Sequence, residues 1–357
     1  MVLEGPRTLR RREFPRPEVG DDDALLRVEA CGLCGTDHEQ FSGQLFGGFA
    51  FIPGHESVGV IEEIGRAAEE RWGVTRGDRV AVEVFQSCRV CERCSAGDYR
   101  HCLDHGIGDS YGFVPADRSP GLWGGYAQYQ YLSRDSMLLK VPDGLDPVTA
   151  TLFNPMGAGV RWGATVPQTG PGDVVAVLGP GIRGLCSLVA ARAAGAEFVM
   201  VTGSGPRDRS RLDTARAFGA DLVVDVTEED PARALRAALG RGADVVVDVT
   251  AKSPRAFEQS LEVVRGEGTV VVAGIRGEPM PAGSNIDLIV YKEIRLLGVL
   301  GVDVNDYKKA LDLLAGSQLP LTAIDRSIVG FDGLPPLLES LSTGELDTPM
   351  HAVFAPD

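Results

Sequence analysis

The middle of the chain repeats one pattern, an apolar run followed by a segment with helical periodicity. The run DVVAVLG at 173–179 and the run DVVVDVT at 244–250 are clear examples, and each leads into such a segment. Three of the helical segments end at glycine, which commonly terminates helices (Gly195, Gly219 and Gly240). Strands that are apolar throughout and alternate with helices are typical of a parallel sheet covered on both faces. The pattern therefore predicts a doubly wound α/β domain beginning near residue 170.

The residues before this region follow a different pattern. Residues up to about 150 contain short β-type runs bounded by Gly, Pro or Asp, at 24–28, 58–64, 79–84 and 126–132. Such runs favour an antiparallel β arrangement. After the α/β region the residue pattern is mixed, and it includes a predicted helix at VNDYKKALDLLAG, 304–316. A length of 357 residues fits two or three domains.

A glycine motif follows the first Val-rich run. Gly179, Gly181 and Gly184 form G-x-G-x-x-G, with Ile182 opening the next helix. Between a strand and a helix this spacing predicts a dinucleotide site, because the glycines allow a tight turn, close approach of the pyrophosphate and close helix packing. The helix N-terminus then supplies N–H donors. The alternative is an ordinary glycine turn.

The end of the second Val-rich strand bears on which nicotinamide cofactor is used. An Asp or Glu about 20 residues after the glycine motif would bind the 2′-hydroxyl of NAD. Here Gly203 occupies that position, followed by Ser204, Arg207 and Arg209, a set suited to a 2′-phosphate. We therefore expect a preference for NADP over NAD. The alternative is that Asp208 or Ser204 serves NAD and the arginines are solvated.

Four of the seven cysteines lie within a short segment, and this pattern indicates a metal site. Cys88, Cys91, Cys94 and Cys102 can form a tetrahedral thiolate site, which selects zinc or, less often, an iron–sulfur cluster. Because all four ligands are local, we expect a closed structural site that folds a loop poor in apolar residues. The alternative is a set of free buried thiols.

A second, more dispersed group of residues has the composition of an open zinc site. Cys34 lies in CGLCGTDH, and His55 and Glu56 lie in PGHESVG. A thiolate, an imidazole and a carboxylate can hold zinc with one position left for water or a substrate oxygen. Each fragment alone could instead be a packed core cysteine or a hydrogen-bonded histidine.

Charge and composition exclude several classes of partner. The chain has 35 Lys and Arg against 50 Asp and Glu, a formal net charge of −15, which disfavours nucleic acid and anionic membranes. No apolar run has the roughly 18 residues of a membrane span, and the first residues lack the apolar core of a signal peptide. We expect a cytoplasmic protein whose partner is a small molecule.

Together these motifs resemble the zinc-dependent medium-chain dehydrogenase/reductase family, which includes threonine, sorbitol and glucose dehydrogenases. The resemblance covers essentially the whole chain. Besides the glycine motif and the four cysteines, it rests on four short motifs: CGTD at 34–37, GHESVG at 54–59, GDRV at 77–80 and GGYAQY at 124–129.

The resemblance implies a domain layout. It places a GroES-like antiparallel β catalytic domain at 1–152, with a zinc lobe at 86–104. A Rossmann NAD(P)-binding domain follows at 153–294, and a segment at 295–357 completes the catalytic domain. It also implies a homodimer or homotetramer, with residues 296–304 as a candidate subunit interface.

The resemblance further implies roles for the residues around Cys34. Cys34 and His55 would bind the catalytic zinc, with Glu56 as a ligand or alternate ligand. Thr36 would relay the proton from the alcohol, and Asp37 would orient His55.

The chain departs from the family pattern at two positions. Asn154 stands where polyol and threonine dehydrogenases often carry Glu or Asp, so we expect water or substrate to complete the coordination. Many relatives have a His two residues after the motif Asp, whereas here that position is Glu39 and His38 follows Asp37 directly. The proton relay could therefore end at His38 or at Glu39.

The expected activity is hydride transfer between a secondary alcohol or polyol, or the matching ketone or aldehyde, and NAD(P). Alternatives are a zinc-free quinone or enoyl reductase, a crotonyl- or formaldehyde-type specialist, and an inactive NADPH-binding relative. Asn154 is expected to contact the substrate. Phe49 and Trp123 are candidates for an apolar pocket wall, or else core aromatics. Gly274, Ile275 and Leu300 are assigned to the cofactor cleft.

Overall fold

The computed structural model describes residues 1–251, 253–275, 285–316, 319–344 and 348–357. The chain divides into two compact units. The first consists of Met1–Asn154, Asp303–Ser317 and Asp325–Asp357, and the second of Pro155–Val302 and Gln318–Ile324. Within the described ranges, no helix has both the length and the apolar character needed to cross a membrane.

The strands and helices are numbered in chain order. The strands are β1 Val2–Gly5, β2 Thr8–Arg10, β3 Ala24–Leu33, β4 Glu56–Ile64, β5 Arg79–Val82, β6 Tyr129–Leu132, β7 Leu138–Lys140, β8 Val174–Leu178, β9 Phe198–Gly203, β10 Leu222–Asp225, β11 Ala243–Asp248, β12 Val264–Val272, β13 Arg295–Gly298, β14 Arg326–Val329 and β15 His351–Phe354. The helices are α1 Gly35–Ser42, α2 Arg66–Trp72, α3 Glu92–Ser95, α4 Pro147–Ala150, α5 Phe153–Val160, α6 Ile182–Ala193, α7 Gly205–Ala217, α8 Pro231–Leu239, α9 Pro254–Val263, α10 Asp287–Tyr291, α11 Val304–Gly316 and α12 Leu334–Thr343. The predicted helix at 304–316 is confirmed by α11.

The first unit is built around a largely antiparallel sheet. Its strand order is β14-β15-β3-β4-β5-β7, with β6 paired to β3. Strands β3 and β4 form its centre, with Val28 opposite Gly59 and Gly32 opposite Glu56. The C-terminal strand β15 pairs antiparallel with β3, so the end of the chain belongs to this sheet. The predicted antiparallel β arrangement is confirmed.

Two predicted strands in this unit are shorter than expected. The run at 79–84 is a strand only at Arg79–Val82. The run at 126–132 is a strand only from Tyr129 onward. The backbone of Gly125 and Tyr126 instead donates hydrogen bonds to the carbonyls of Gly54 and Pro53. This segment therefore supports the loop that carries His55 rather than extending the sheet.

The second unit contains a parallel sheet with the order β10-β9-β8-β11-β12-β13. Strand β8 is buried along its whole length, as expected for a strand with helices on both faces. The order reverses between β8 and β11, and ligands of open α/β sheets bind at the carboxyl ends of the strands at such a reversal. The predicted α/β class with a doubly wound sheet is confirmed.

Candidate functional site

Cys34 and His55 lie next to each other because the sheet brings them together. Cys34 follows the last residue of β3 and is the N-cap of α1, and His55 directly precedes β4. The pairing of Gly32 with Glu56 fixes the register of these two strand ends. The Cys34 Sγ atom lies 3.0 Å from His55 Nε2. A sulfur and a nitrogen donor at this separation suit a shared metal ion.

Asp37 lies on the side of the imidazole opposite Cys34, where it can orient His55. It occupies the first turn of α1, where its Oδ2 accepts a hydrogen bond from the Cys34 backbone N–H at 2.8 Å. Its Oδ1 lies 4.0 Å from His55 Nδ1. Both of these facing atoms are buried, and neither has a hydrogen-bond partner among the residues that the structure describes. Cys34, Asp37 and His55 form a group that could hold a metal ion, and their donor set fits zinc.

Glu56 is the first residue of β4 and lies opposite Gly32 of β3. Its side chain is buried, and its carboxylate lies over Gly32 on the neighbouring strand, where an added Cβ would overlap Glu56 Oε2. Among the described residues, the group that could hold a metal ion here consists of Cys34, Asp37 and His55. Coordination by Glu56 stays a prediction.

The other predicted residues near this group differ in burial. Thr36 and His38 lie half-buried on α1. Asn154 is buried, and its Nδ2 donates a hydrogen bond to the Tyr307 hydroxyl at 3.0 Å. The sequence reasoning missed Phe113, whose ring centroid lies 6.1 Å from that of His55. No motif points to Phe113, because it reaches His55 through a loop of irregular structure.

The two aromatic candidates for a pocket wall also differ from each other. Trp123 is buried, its ring lies 4.9 Å from Tyr131 between centroids, and its indole N–H donates to the Arg118 carbonyl. These contacts match the alternative that Trp123 is a core residue. Phe49 is 40% exposed and contacts the ring of Phe51 at 6.1 Å.

The four clustered cysteines converge as predicted. Ligand atoms of Cys88, Cys91, Cys94 and Cys102 all lie within 4.8 Å of one another. Backbone N–H groups point at the sulfurs, from Cys91 to Cys88 at 3.3 Å and from Cys94 to Cys91 at 3.4 Å. Hydrogen bonds from the backbone of Leu103 and Cys94 lower the pKa of the Cys91 thiol to about 6. Four such donors fit a closed tetrahedral zinc site.

The cysteine lobe is fixed to the first unit by buried polar contacts. The Tyr99 hydroxyl donates to Glu83 Oε2 at 2.8 Å, and Arg100 pairs with Asp98 and Asp303. Burial raises the pKa of Glu83 to about 8, so this carboxyl group is mostly protonated at neutral pH.

The glycine motif has the geometry of a dinucleotide turn. Gly179 has φ of +107°, a conformation that favours glycine. A Cβ at Gly184 would overlap the carbonyl oxygen of Gly179, so this position needs glycine for helix and strand to approach. Gly181 is the N-cap of α6, which begins at Ile182. The free N–H groups of the first turn can receive a pyrophosphate at the strand-order reversal.

The end of β9 presents the residues expected to select the cofactor. Gly203 ends the strand and Ser204 is the N-cap of α7. Ser204, Arg207 and Arg209 are exposed. Asp208, the alternative partner for NAD, accepts a hydrogen bond from the Ser204 backbone N–H at 2.9 Å.

The remaining cofactor candidates lie beyond the carboxyl ends of two further parallel strands. Gly274 and Ile275 follow β12, and the Gly274 N–H donates to the Asp248 carbonyl at 3.2 Å. Leu300 lies two residues after β13 and is 44% exposed. These residues lie at the same edge of the sheet as the glycine motif.

Comparisons with known proteins agree with this arrangement. The family model described as an alcohol dehydrogenase GroES-like domain matches residues 20–143, and the model described as a zinc-binding dehydrogenase matches residues 184–316. The chain is 60% identical to the Mycobacterium tuberculosis protein named "Probable alcohol dehydrogenase", over 100% of the chain and 98% of that protein.

Two more distant proteins are also similar. The chain is 30% identical to a sorbitol dehydrogenase of Bacillus subtilis, over 88% of the chain and 85% of that enzyme. A Sinorhizobium meliloti structure, described as a zinc-binding dehydrogenase bound to NADP, has a TM-score of 0.81 and 28% identity. That comparison covers 95% of the chain and 94% of the solved chain.

Proposed function

The chain belongs to the zinc-dependent medium-chain dehydrogenase family, and on this premise we propose that Cys34 and His55 bind its catalytic zinc. The protein is an NAD(P)-dependent alcohol or polyol dehydrogenase, which transfers a hydride between a secondary alcohol or polyol, or the matching carbonyl compound, and NAD(P). The observation that carries the site assignment is the 3.0 Å separation of Cys34 Sγ and His55 Nε2, with Asp37 behind the imidazole.

Each residue of the site has a proposed task. Zinc, when bound, acts as a Lewis acid on the substrate oxygen and lowers the pKa of its hydroxyl group. Cys34 supplies a thiolate, and His55 a neutral Nε2 whose lone pair faces the metal. Asp37 Oδ1, 4.0 Å from His55 Nδ1, is placed to accept a hydrogen bond from Nδ1–H when zinc holds the imidazole, and this bond would fix that tautomer. Thr36 and His38 carry the substrate proton away from the site.

The substrate contact proposed for Asn154 is supported by its restrained orientation. Its amide nitrogen donates to the Tyr307 hydroxyl, and the Tyr307 ring packs 5.2 Å from Phe153 between centroids. A side chain held in this way loses little entropy when it contacts a second substrate hydroxyl.

We propose NADP as the preferred cofactor. Ser204, Arg207 and Arg209 are exposed beyond β9 and can contact a 2′-phosphate, whereas Asp208 Oδ2 is engaged by the Ser204 backbone N–H. A carboxylate committed to the backbone is a weaker partner for the 2′-hydroxyl of NAD. Comparison of kcat/KM for the two cofactors tests this proposal, which a clear preference for NAD would overturn.

We also propose that two chains associate along β13, consistent with a homodimer or a tetramer built from dimers. Within the described part of the parallel sheet, β13 is an edge strand. Nearby apolar side chains are exposed: Val290 by 75%, Tyr291 by 80% and Leu296 by 42%. Light scattering of the purified protein tests the association, and a monomer at micromolar concentration would overturn it.

Domain layout and location complete the proposal. The catalytic domain is proposed at 1–152 and 295–357, with the NAD(P)-binding domain at 153–294 between these segments. A cytoplasmic location is proposed because the four-cysteine zinc site requires reduced thiols.

The experiment that tests the activity follows the hydride directly. Secondary alcohols and polyols carrying deuterium on the carbinol carbon are incubated with the zinc-loaded protein and each oxidised nicotinamide. We expect deuterium in the reduced cofactor, detected by mass spectrometry, for at least one alcohol. Formation of reduced cofactor without the label, or no reaction with any alcohol or with the matching ketones, would contradict the proposed function.

A further inference from the structure

Tyr126 covers the backbone directly before His55 and is completely buried. An added Cβ at Gly54 would lie 2.6 Å from the Tyr126 ring, so the ring packs directly on this glycine. On its other side the ring makes an edge contact with Phe354, at 5.5 Å between centroids. The ring position is therefore fixed by packing that does not involve the hydroxyl group.

One buried polar atom in each of the Tyr126, Asp37 and His55 side chains has no hydrogen-bond partner among the described residues. These atoms are the Tyr126 hydroxyl, Asp37 Oδ1 and His55 Nδ1, of which the last two lie 4.0 Å apart. The Tyr126 ring contacts Gly54, the residue directly before His55, and His55 Nδ1 faces Asp37 Oδ1, so the three side chains share one buried neighbourhood. Burial, and then the negative charge of Asp37, raise the pKa of Tyr126 well above its ordinary value, in agreement with this placement. Buried donors and acceptors are almost always paired in folded proteins. These three atoms can satisfy one another.

The hydrogen-bonding capacities of these groups fit one arrangement. Asp37 Oδ2 already accepts from the Cys34 N–H at 2.8 Å, which leaves Oδ1 as the available acceptor. A carboxylate oxygen has two lone pairs, and it can accept from a phenol and from an imidazole N–H together. A neutral phenol adds a donor without adding a charge that would compete with the metal.

We propose that Tyr126 is a positioning residue, whose hydroxyl donates a hydrogen bond to Asp37 Oδ1 and thereby holds this carboxylate against His55 Nδ1–H. The proposal rests on the proposed function of Cys34 and His55 as zinc ligands. Tyr126 acts on the metal through two other residues and does not contact substrate. Removing its hydroxyl leaves the Cys34 N–H bond to Oδ2 to hold the Asp37 carboxylate without help at Oδ1, which weakens the orientation of the imidazole and its basicity at Nε2.

The test is the variant Tyr126→Phe, which keeps the ring and its packing. Zinc affinity is measured by competition with a chromophoric chelator, and the catalytic site is also read from the visible spectrum after cobalt substitution. We expect the affinity for the zinc ion at Cys34 and His55, the more weakly bound of the two, to fall about 10-fold to 100-fold. This is the usual effect of removing a group that supports a zinc-bound histidine. The zinc of the four cysteines serves as an internal reference and should be unchanged.

A matched control is Tyr111→Phe, which removes another buried phenol, one that is hydrogen-bonded to Ser136. This change should leave both zinc affinities and the cobalt spectrum as in the wild type. Equal zinc affinities and spectra in Tyr126→Phe and the wild type would overturn the inference. An equal loss in both variants would also overturn it, because the effect would then follow from any buried phenol.

The variant Cys34→Ser separates this inference from the proposed function. If Cys34→Ser still binds two zinc ions as tightly as the wild type, the assigned zinc ligands are wrong. If Cys34→Ser loses one zinc and Tyr126→Phe loses no affinity, only the role of Tyr126 is wrong. A further check is Tyr126→Phe in an Asp37→Asn background, where we expect little additional loss, since the partner is already altered. Fully additive losses would overturn the inference.

Discussion

His351 is buried in β15, and both of its ring nitrogens are engaged in hydrogen bonds that suit the neutral imidazole. Its Nδ1 accepts from Arg326 Nε at 3.1 Å, and its Nε2 lies 3.0 Å from Thr151 Oγ1. The Thr151 hydroxyl hydrogen is donated to the Val148 carbonyl, so the threonine oxygen accepts from Nε2–H. A proton added at Nδ1 would break the bond from Arg326. Burial, and then the charge of Arg326, lower the pKa of His351 from 6.5 to about 3.

This depressed pKa makes the stability of the first unit depend on pH. Above the unfolded pKa of 6.5, the residue is neutral in both states and its contribution is complete. Below that pH the unfolded chain binds a proton that the folded chain excludes, so stability falls until the folded pKa is reached. Linkage gives a loss of about 2 kcal/mol at pH 5 and about 3 kcal/mol at pH 4, relative to pH 7.5.

The variant His351→Gln isolates this contribution. At pH 7.5 we expect it to be less stable than the wild type by about 1–3 kcal/mol, because buried hydrogen bonds are disturbed. At pH 5 that deficit should shrink by about 2 kcal/mol, since glutamine does not titrate. The measurement is the free energy of unfolding in urea at both pH values. Taking the difference between the two proteins cancels effects of zinc-ligand protonation. A deficit that stays constant from pH 7.5 to 5 would show that His351 takes up a proton in the folded protein as readily as in the unfolded chain.

Two further predictions concern Glu83, which anchors the cysteine lobe through Tyr99, and the cofactor site. Glu83→Gln should raise the unfolding free energy at pH 7 by up to about 3 kcal/mol, measured in urea. The pKa of Glu83 is 4.5 in the unfolded chain and about 8 in the fold, so the unfolded chain loses this proton first and the wild type becomes less stable as pH rises above 4.5. The stability gained by Glu83→Gln should therefore vanish below about pH 4. Gly184→Ala should weaken NADP binding at least about tenfold by calorimetry, because its Cβ would collide with the Gly179 carbonyl. Unchanged affinity would count against the assigned turn.

Much of the second unit could be predicted from the sequence because its signals are local. Strands buried on both faces are apolar throughout, and β8 and β11 coincide with the two runs that were clearest in the sequence. The glycine motif is equally local, since the φ of Gly179 and the close packing at Gly184 follow from six consecutive residues. The four cysteines converge within one short loop.

The first unit was harder to predict from the sequence because its key contacts join distant parts of the chain. His351 meets Thr151 across 200 positions, and no motif marks either residue. Tyr126 was included in a predicted strand, yet its backbone supports the loop before His55. The proximity of Cys34 and His55 could be expected only from the combined motifs, since the pairing of β3 with β4 produces it.

The most direct test of the account is the zinc content of the purified protein, measured by elemental analysis without chelators. We expect two zinc ions per chain in the wild type and one in Cys34→Ser, whose four-cysteine site is intact. Cofactor binding by Cys34→Ser should persist, while alcohol oxidation should be lost. One zinc in the wild type, or two in an active Cys34→Ser variant, would contradict the claim that Cys34 and His55 hold a catalytic metal.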